Sequence, residues 1–146
     1  MIDKCSQDVC NGKSFYIAAS LSEVELARSV SETLQEKGWI NTYDWTIHCS
    51  NTAIDEEMMR KIAEHESSGV RNADIVIILN PKGRGTHMEL GMALALNKKV
   101  YLYNFDDLYL KNMRDTVSFY WLPYVTKLSG DINKAISKII SENQMT

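Results

Sequence analysis

A single carboxylate, Glu89, follows a glycine-rich loop in the most informative stretch of the chain, residues 72–104. The apolar run 74–79 predicts a buried strand, and a loop over 81–85 joins it to a helix predicted over 86–96. Helix starts carry unpaired N–H groups and a positive partial charge, so this loop can hold an anion or a sugar phosphate. A carboxylate in the helix's first turn can attack or stabilise an electron-poor carbon. The stretch therefore predicts a small-molecule site.

A second interpretation of Glu89 stays open at this point. Thr86 and Glu89 have the spacing of a capping box, in which the glutamate folds back and accepts a hydrogen bond from the threonine N–H. One side chain cannot both cap its own helix and face a substrate, so the two roles compete.

Strand and helix patterns alternate along the chain, which predicts parallel βαβ units with right-handed crossovers. Ser22 and Glu25 match a capping box at the first helix, Gly69 weakens the last turn of the second, and the third buries a face of Met88, Met92 and Leu96. The predicted strands cover 14–19, 39–45, 74–79, 98–103 and 125–128, and the predicted helices lie around 22–38, 55–71, 86–96 and 132–140.

These elements predict an α/β fold of the flavodoxin-like (Rossmann-like) type, a doubly wound five-stranded parallel sheet with helices on both faces. We expect a single domain over 14–146 after a flexible N-terminal extension, 1–13. Residues 105–124 carry many aromatic side chains and have no clear pattern, and a lid or a subunit contact would suit them. The carboxyl edge of the sheet is where a ligand is expected.

Charge and cysteine content exclude several function classes. The formal net charge is −3, from 16 basic and 19 acidic residues, which disfavours non-specific nucleic-acid binding. Cys5, Cys10 and Cys49 have no partner cluster at zinc spacing, so we expect reduced thiols, no metal and a cytoplasmic protein. The apolar runs are far too short to span a membrane.

The motifs FYIAAS, NADIVIIL and GRGTHMELGMALALNKKVYLY occur in this order over residues 14–104. In sequence and order they resemble the nucleoside 2-deoxyribosyltransferase superfamily, which includes nucleoside 5′-monophosphate N-glycosidases. The resemblance implies a flavodoxin-like fold, cleavage of the N-glycosidic bond of a nucleoside or nucleotide, no cofactor, and a homodimer or higher homo-oligomer with active sites near subunit contacts.

The resemblance also implies roles for individual residues. Glu89 would be the nucleophile on the anomeric carbon, Tyr16 its hydrogen-bonding partner, and Glu66 the acid that protonates the departing base. Relatives carry an aspartate at the Glu66 place, and nucleotide-cleaving relatives carry an arginine just after the Ser20 place, where this chain has Leu21. Arg84 is a candidate to replace that arginine. The predicted substrate-binding residues are Ser20, Asp44, Trp45, Gly83, Arg84, Gly85 and His87.

The sequence thus predicts a deoxyribosyltransferase or a nucleoside or nucleotide N-glycosidase. Two alternatives remain. One is an NAD glycohydrolase similar to Toll/interleukin-receptor domains, which use a glutamate on a related sheet. The other is a non-catalytic nucleotide sensor in which Glu89 only caps its helix.

Overall fold

A computed structural model describes residues 12–48 and 54–144 of the protein. Its five strands are all parallel and lie in the order β2-β1-β3-β4-β5. The strands are β1 (Ser14–Ala18), β2 (Ile40–Asn41), β3 (Ile75–Leu79), β4 (Lys99–Asn104) and β5 (Val125–Ser129), and the helices are α1 (Val24–Glu36), α2 (Glu56–Asn72), α3 (Arg84–Ala95), α4 (Asp107–Lys111) and α5 (Ile132–Glu142).

The sheet is covered on both faces. Helix α1 contacts α5, while α2 contacts α3 and both of these contact β1. All five residues of β3 are buried, as expected for a central parallel strand between two helical layers. The predicted flavodoxin-like, doubly wound fold is therefore confirmed.

The point where the strand order reverses decides where a ligand can bind. The chain runs from β1 outward to β2 and then returns past β1 to β3, so β1 and β3 are neighbours whose following loops diverge. A crevice forms outside the carboxyl ends of the strands at such a switch point. Tyr16 on β1 pairs with Val76 on β3, directly below this crevice.

Two predictions near the first helix are wrong. Residues Leu21–Glu23 form a 3-10 turn, and α1 begins only at Val24, so Ser22 does not cap it. The Ser22 hydroxyl instead meets the Ser20 hydroxyl at 2.8 Å. The second strand is two residues long rather than seven, because the Asn41 side chain accepts from the Tyr43 N–H and turns the chain.

Helix α3 begins at Arg84, two residues before the predicted start, with Gly83 as its N-cap. Thr86 is then the third helical residue and Glu89 the sixth. The alternative capping-box interpretation of Thr86 and Glu89 is therefore wrong, as is the predicted place of Glu89 in the first turn of the helix. A glutamate this far along the helix is free to make tertiary contacts.

The predicted core face of α3 is also wrong. Met88 is 71% exposed and Leu96 43% exposed, and only Met92 is partly covered. The helix instead buries Thr86, Leu90, Ala93 and Leu94, a stripe on the opposite side. Apolar residues at helical spacing therefore occur on both faces of α3, and the sheet covers only one of them.

The segment 105–124 contains α4 and a 3-10 turn over Ser118–Trp121. Tyr120 is fully buried, whereas Trp121 and Tyr124 are largely exposed. The extension 1–13 lies almost wholly outside the described residues, as do all three cysteines, so its separation from a domain over 14–146 stays a prediction. Among the described helices, none is long and apolar enough to cross a membrane.

Candidate active site

The centre of the site is a contact between β1 and α3. The Tyr16 hydroxyl donates a hydrogen bond to Glu89 Oε1 at 3.2 Å, across 73 residues of sequence. Tyr16 is fully buried because β1 is the strand that both α2 and α3 cover. Glu89 projects from the second turn of α3 toward this ring. The carboxylate is therefore held by a tertiary partner and does not fold back onto its own helix.

A second carboxyl joins the first from α2. Glu66 lies one turn before the buried end of α2, and its side chain is within hydrogen-bonding range of the Glu89 side chain. Both carboxyl groups line the same cleft, and the charge of Glu66 raises the pKa of Glu89, since two negative charges in a buried site repel each other. The structure thus brings together Tyr16, Glu66 and Glu89, the three residues predicted to be catalytic.

Burial and like charge shift the protonation of this cluster. Burial, with the charge of Glu66 as the second cause, raises the pKa of Glu89 to about 8. Burial also raises the pKa of Glu66, which its hydrogen bond with Glu89 partly offsets. The pKa of Tyr16 is raised above its ordinary 10.0 by burial and then by the Glu89 and Glu66 charges. Near neutral pH these shifts favour the protonated forms of Tyr16 and Glu89.

A cleft of about 220 Å³ opens in front of the pair. Glu66 and Glu89 line it together with Trp45 from the β2 side, and Ser20, Gly83 and Gly85 are among its other lining residues. Glu66 also lines two adjoining cavities of about 440 and 270 Å³, the first between α2 and α3 and the second beside Tyr43 and Trp45. The carboxyl pair therefore faces a branched space large enough for a small organic molecule.

Gly83 and Gly85, at the start of α3, face this cleft with bare backbone. A β-carbon added at Gly83 or Gly85 would meet no atom within 4 Å, so the backbone lies open at both positions. Gly83 has no side chain to cap α3, and the first N–H groups of the helix remain available to an anion or a sugar hydroxyl. Arg84 is exposed and does not line the cleft.

Three predicted binding residues make contacts of other kinds. His87 lies between the Gly83 carbonyl, 2.7 Å from Nδ1, and the Tyr120 hydroxyl, 2.6 Å from Nε2, outside the cleft lining. Asp44 accepts from the Thr46 N–H and so caps the 3-10 turn Trp45–His48. Trp45 does line the cleft, and its indole N–H donates to the Ile17 carbonyl at 2.7 Å.

Two features of the site have no counterpart among the predicted residues. Tyr43 lines the cavity beside Trp45, and its ring stacks on both His48 and His65, with ring centroids 5.9 and 5.3 Å away. Glu23 holds two loops together, accepting from Asn80 at 3.2 Å and pairing with Lys82 at 2.9 Å. The only sequence signal for Tyr43 was its place beside Asp44, at the end of a predicted strand.

The donor set of the site suits acid–base and nucleophilic chemistry rather than metal binding. Within residues 12–48 and 54–144, no three His, Cys, Asp or Glu side chains are grouped to hold a metal ion. Two coupled carboxyls and a protonated tyrosine, beside open N–H groups, can stabilise a cationic carbon and move one proton.

Comparison with known proteins identifies the family of the chain and supports its fold. The family model of nucleoside 2-deoxyribosyltransferases matches residues 15–140. Among solved structures, the CMP N-glycosidase BcmB of Clostridium botulinum has a similar fold, with a TM-score of 0.58 and 20% sequence identity over 88% of this chain and 99% of that one. No curated protein sequence matches the chain significantly. Because the family model covers nearly the whole described domain, the chain belongs to the nucleoside 2-deoxyribosyltransferase family.

Proposed function

We propose that the protein is an enzyme that cleaves the N-glycosidic bond of a nucleoside or nucleotide, with Glu89 as the nucleophile. The observation that carries this proposal is the contact of Glu89 with both Tyr16 and Glu66 at the wall of an open cleft. The family match supports glycosyl transfer or hydrolysis as the reaction class.

A proton shared by the two carboxyls gives them complementary roles. In the free protein Glu89 favours its protonated form, because burial raises its pKa to about 8. Movement of this proton along the hydrogen bond to Glu66 creates a carboxylate and a carboxylic acid at once. Tyr16 stabilises the new Glu89 carboxylate by donating its O–H. One proton transfer thus prepares both the nucleophile and the acid.

The bond-breaking step then follows with balanced charge. A Glu89 oxygen bonds to C1′ of the sugar, the C1′–N electron pair passes to the base, and the base takes the Glu66 proton. The transition state resembles an oxocarbenium ion, which the nearby carboxylate stabilises. Water or a second base next attacks C1′, gives its proton to Glu66 and releases Glu89. The acceptor decides between hydrolysis and transfer.

The surrounding residues suit the two ends of such a substrate. Ser20 and the open backbone at Gly83 and Gly85 would bind the ribose hydroxyls or a phosphate, since hydroxyls and N–H groups favour these ligands. Trp45 would contact the base of the substrate, and Tyr43 lines the adjoining cavity. The nucleophile, the acid and both binding regions would then meet at one cleft.

A chromatographic screen of deoxynucleosides, ribonucleosides, their 5′-monophosphates and NAD, each with and without a second free base, tests the proposal. We expect release of a free base or transfer to the added base, and loss of this activity in Glu89→Gln. The matched control is Glu32→Gln, which removes an exposed carboxyl on α1. Nicotinamide release without cleavage of any other compound would instead indicate the NAD glycohydrolase, and tight binding without turnover the sensor.

We also propose that the protein forms a homodimer through the exposed face of α3. Met88 lines the cavity between α2 and α3, which is open to solvent and reaches Glu66 and Glu89. A second copy seated there would cover this apolar surface and close one side of the site.

Light scattering tests the dimer directly. We expect a dimer for the natural chain and a monomer for Met88→Glu, with a dimer kept in the control Leu108→Glu, whose side chain is 74% exposed on α4. A monomeric natural chain, or equal effects of the two substitutions, would reject this interface.

The cytoplasmic location of the protein stays a prediction.

A further inference from the structure

Helix α2 approaches β1 unusually closely at one residue, Gly69. This glycine is buried in the interior of α2, three residues after Glu66. A β-carbon placed on it would lie 2.7 Å from Cδ2 and 2.8 Å from Cε2 of Tyr16, and 3.0 Å from Cβ of Tyr43. Non-bonded carbons pack best at roughly 3.5–4.0 Å, so no other residue fits here without movement.

The position of Gly69 explains a residue that local rules disfavour. Glycine in a helix interior costs about 1 kcal/mol relative to alanine, and the backbone here has ordinary helical geometry. The helix also continues through Asn72, so Gly69 does not end it. The Gly69 carbonyl accepts from the Thr42 hydroxyl at 2.7 Å, which fixes this turn of α2 against the end of β2. The requirement is therefore one of space.

We propose that Gly69 is a positioning residue: its missing side chain lets α2 lie directly against the Tyr16 ring, and this contact places Glu66 on α2 opposite Glu89 on α3 at the wall of the cleft. The Tyr16 ring is the spacer between the two helices, since its Cδ2 and Cε2 atoms lie against α2 at Gly69 and its hydroxyl donates to Glu89 on α3. Any added atom at residue 69 must move the ring, the helix or both. The role in catalysis rests on the function proposed above, whereas the geometric role does not.

The groups that face Glu89 define what the substitution should change. They are Tyr16 from β1 and Glu66 from α2, and Tyr43 lies beside the Tyr16 ring. If Gly69→Ala separates α2 from β1, Glu89 loses the nearby Glu66 charge and part of its burial. Both losses favour the ionised form. The titration of Glu89, followed by carbon NMR of labelled glutamate, should move toward the ordinary range of a glutamate.

The matched control is Gly91→Ala on α3, the helix that carries Glu89. A β-carbon at Gly91 meets no atom within 4 Å, so this substitution makes the same chemical change without the contact. We expect Gly69→Ala to lower kcat roughly 10- to 100-fold with a smaller change in KM, as displaced catalytic groups do. Gly91→Ala should keep the natural titration, kcat and pH profile.

Stability measurements keep the proposal testable if Gly69→Ala unfolds. Tyr16→Val removes the Cδ2 and Cε2 atoms and leaves only the 3.0 Å approach to Tyr43 Cβ. The drop in melting temperature caused by Gly69→Ala should therefore be smaller in a Tyr16→Val background. An equal drop in melting temperature with tyrosine or valine at residue 16 would overturn the proposal. A folded Gly69→Ala variant in which Glu89 titrates as it does in the natural chain would overturn it too. A natural chain without glycosidase activity would reject the proposed function but leave the titration as a valid test of Gly69.

Discussion

Replacing Glu89 by glutamine should make the protein more stable at alkaline pH while abolishing its activity. The substitution keeps the shape of the side chain and an oxygen that accepts from the Tyr16 hydroxyl. It removes an ionisable group that burial and the Glu66 charge disfavour in its charged form. A residue that serves only the fold would destabilise the protein when replaced.

The pKa of Glu89 sets the sign and size of the effect. This pKa rises from an ordinary 4.5 to about 8 on folding, so between these values the folded state binds a proton that the unfolded chain lacks. Folding stability is therefore lost as pH rises from 4.5 to about 8. At about 1.4 kcal/mol for each pH unit, the upper limit of this loss is about 5 kcal/mol. The effects of Glu66 and Glu89 are not independent, because each carboxyl group disfavours the ionisation of the other. We therefore expect the free energy of unfolding to rise by only about 2–3 kcal/mol in Glu89→Gln.

Urea unfolding and thermal melts at about pH 5 and about pH 8.5 measure this effect. We expect similar stability of the natural chain and Glu89→Gln at the lower pH, and a melting temperature roughly 5–10 °C higher for the variant at the upper pH. Glu32→Gln on α1, an exposed carboxyl, is the control and should follow the natural chain at both values. Equal or lower stability of Glu89→Gln at the upper pH would refute the reasoning that Glu89 is a strained, desolvated carboxyl.

Three further predictions address two neighbours of Glu89 and one helix cap outside the site. Tyr16→Phe removes the O–H that donates to Glu89, so kcat should fall roughly 10- to 100-fold. Circular dichroism should show that the fold is kept, and an unchanged kcat would exclude an orienting role for Tyr16. Glu66→Gln should impair cleavage of ordinary nucleosides far more than cleavage of a substrate whose leaving group needs no proton, and equal losses in steady-state assays would argue against Glu66 as the acid. Asp131 caps α5 by accepting from two backbone N–H groups. Urea titrations of Asp131→Ala should therefore show a loss of about 1 kcal/mol in the free energy of unfolding, with the activity kept. A loss of activity in the folded variant would contradict the location of the site.

The order of elements and the fold class were predictable from the sequence. The run 74–79 is apolar without alternation, as a strand covered on both faces requires, and the structure has β3 there. The helix predicted over 55–71 is α2, which begins one residue later at Glu56, with Asp55 capping it by accepting from the Met58 N–H. These features depend on periodicity and on local hydrogen bonds, which neighbouring residues decide among themselves.

The helix boundaries around the loops were less predictable. Thr86 and Glu89 have capping-box spacing, yet α3 begins at Arg84 with Gly83 as its cap. A glycine N-cap leaves no side-chain signal, whereas a threonine followed by a glutamate gives one wherever it occurs. Likewise, apolar spacing in α3 does not say which of two apolar faces the sheet will cover, and Met88 proved to be exposed.

The sequence by itself determined that a glutamate follows an open glycine loop at the carboxyl end of a central strand. Only the tertiary structure decided that this glutamate meets Tyr16 from β1 and Glu66 from α2. The reason is that side-chain contacts between distant elements depend on how closely the elements pack. That distance is set here by Gly69, whose lack of a side chain lets α2 lie on the Tyr16 ring. Raised pKa values follow from such packing and have no local signature in the chain.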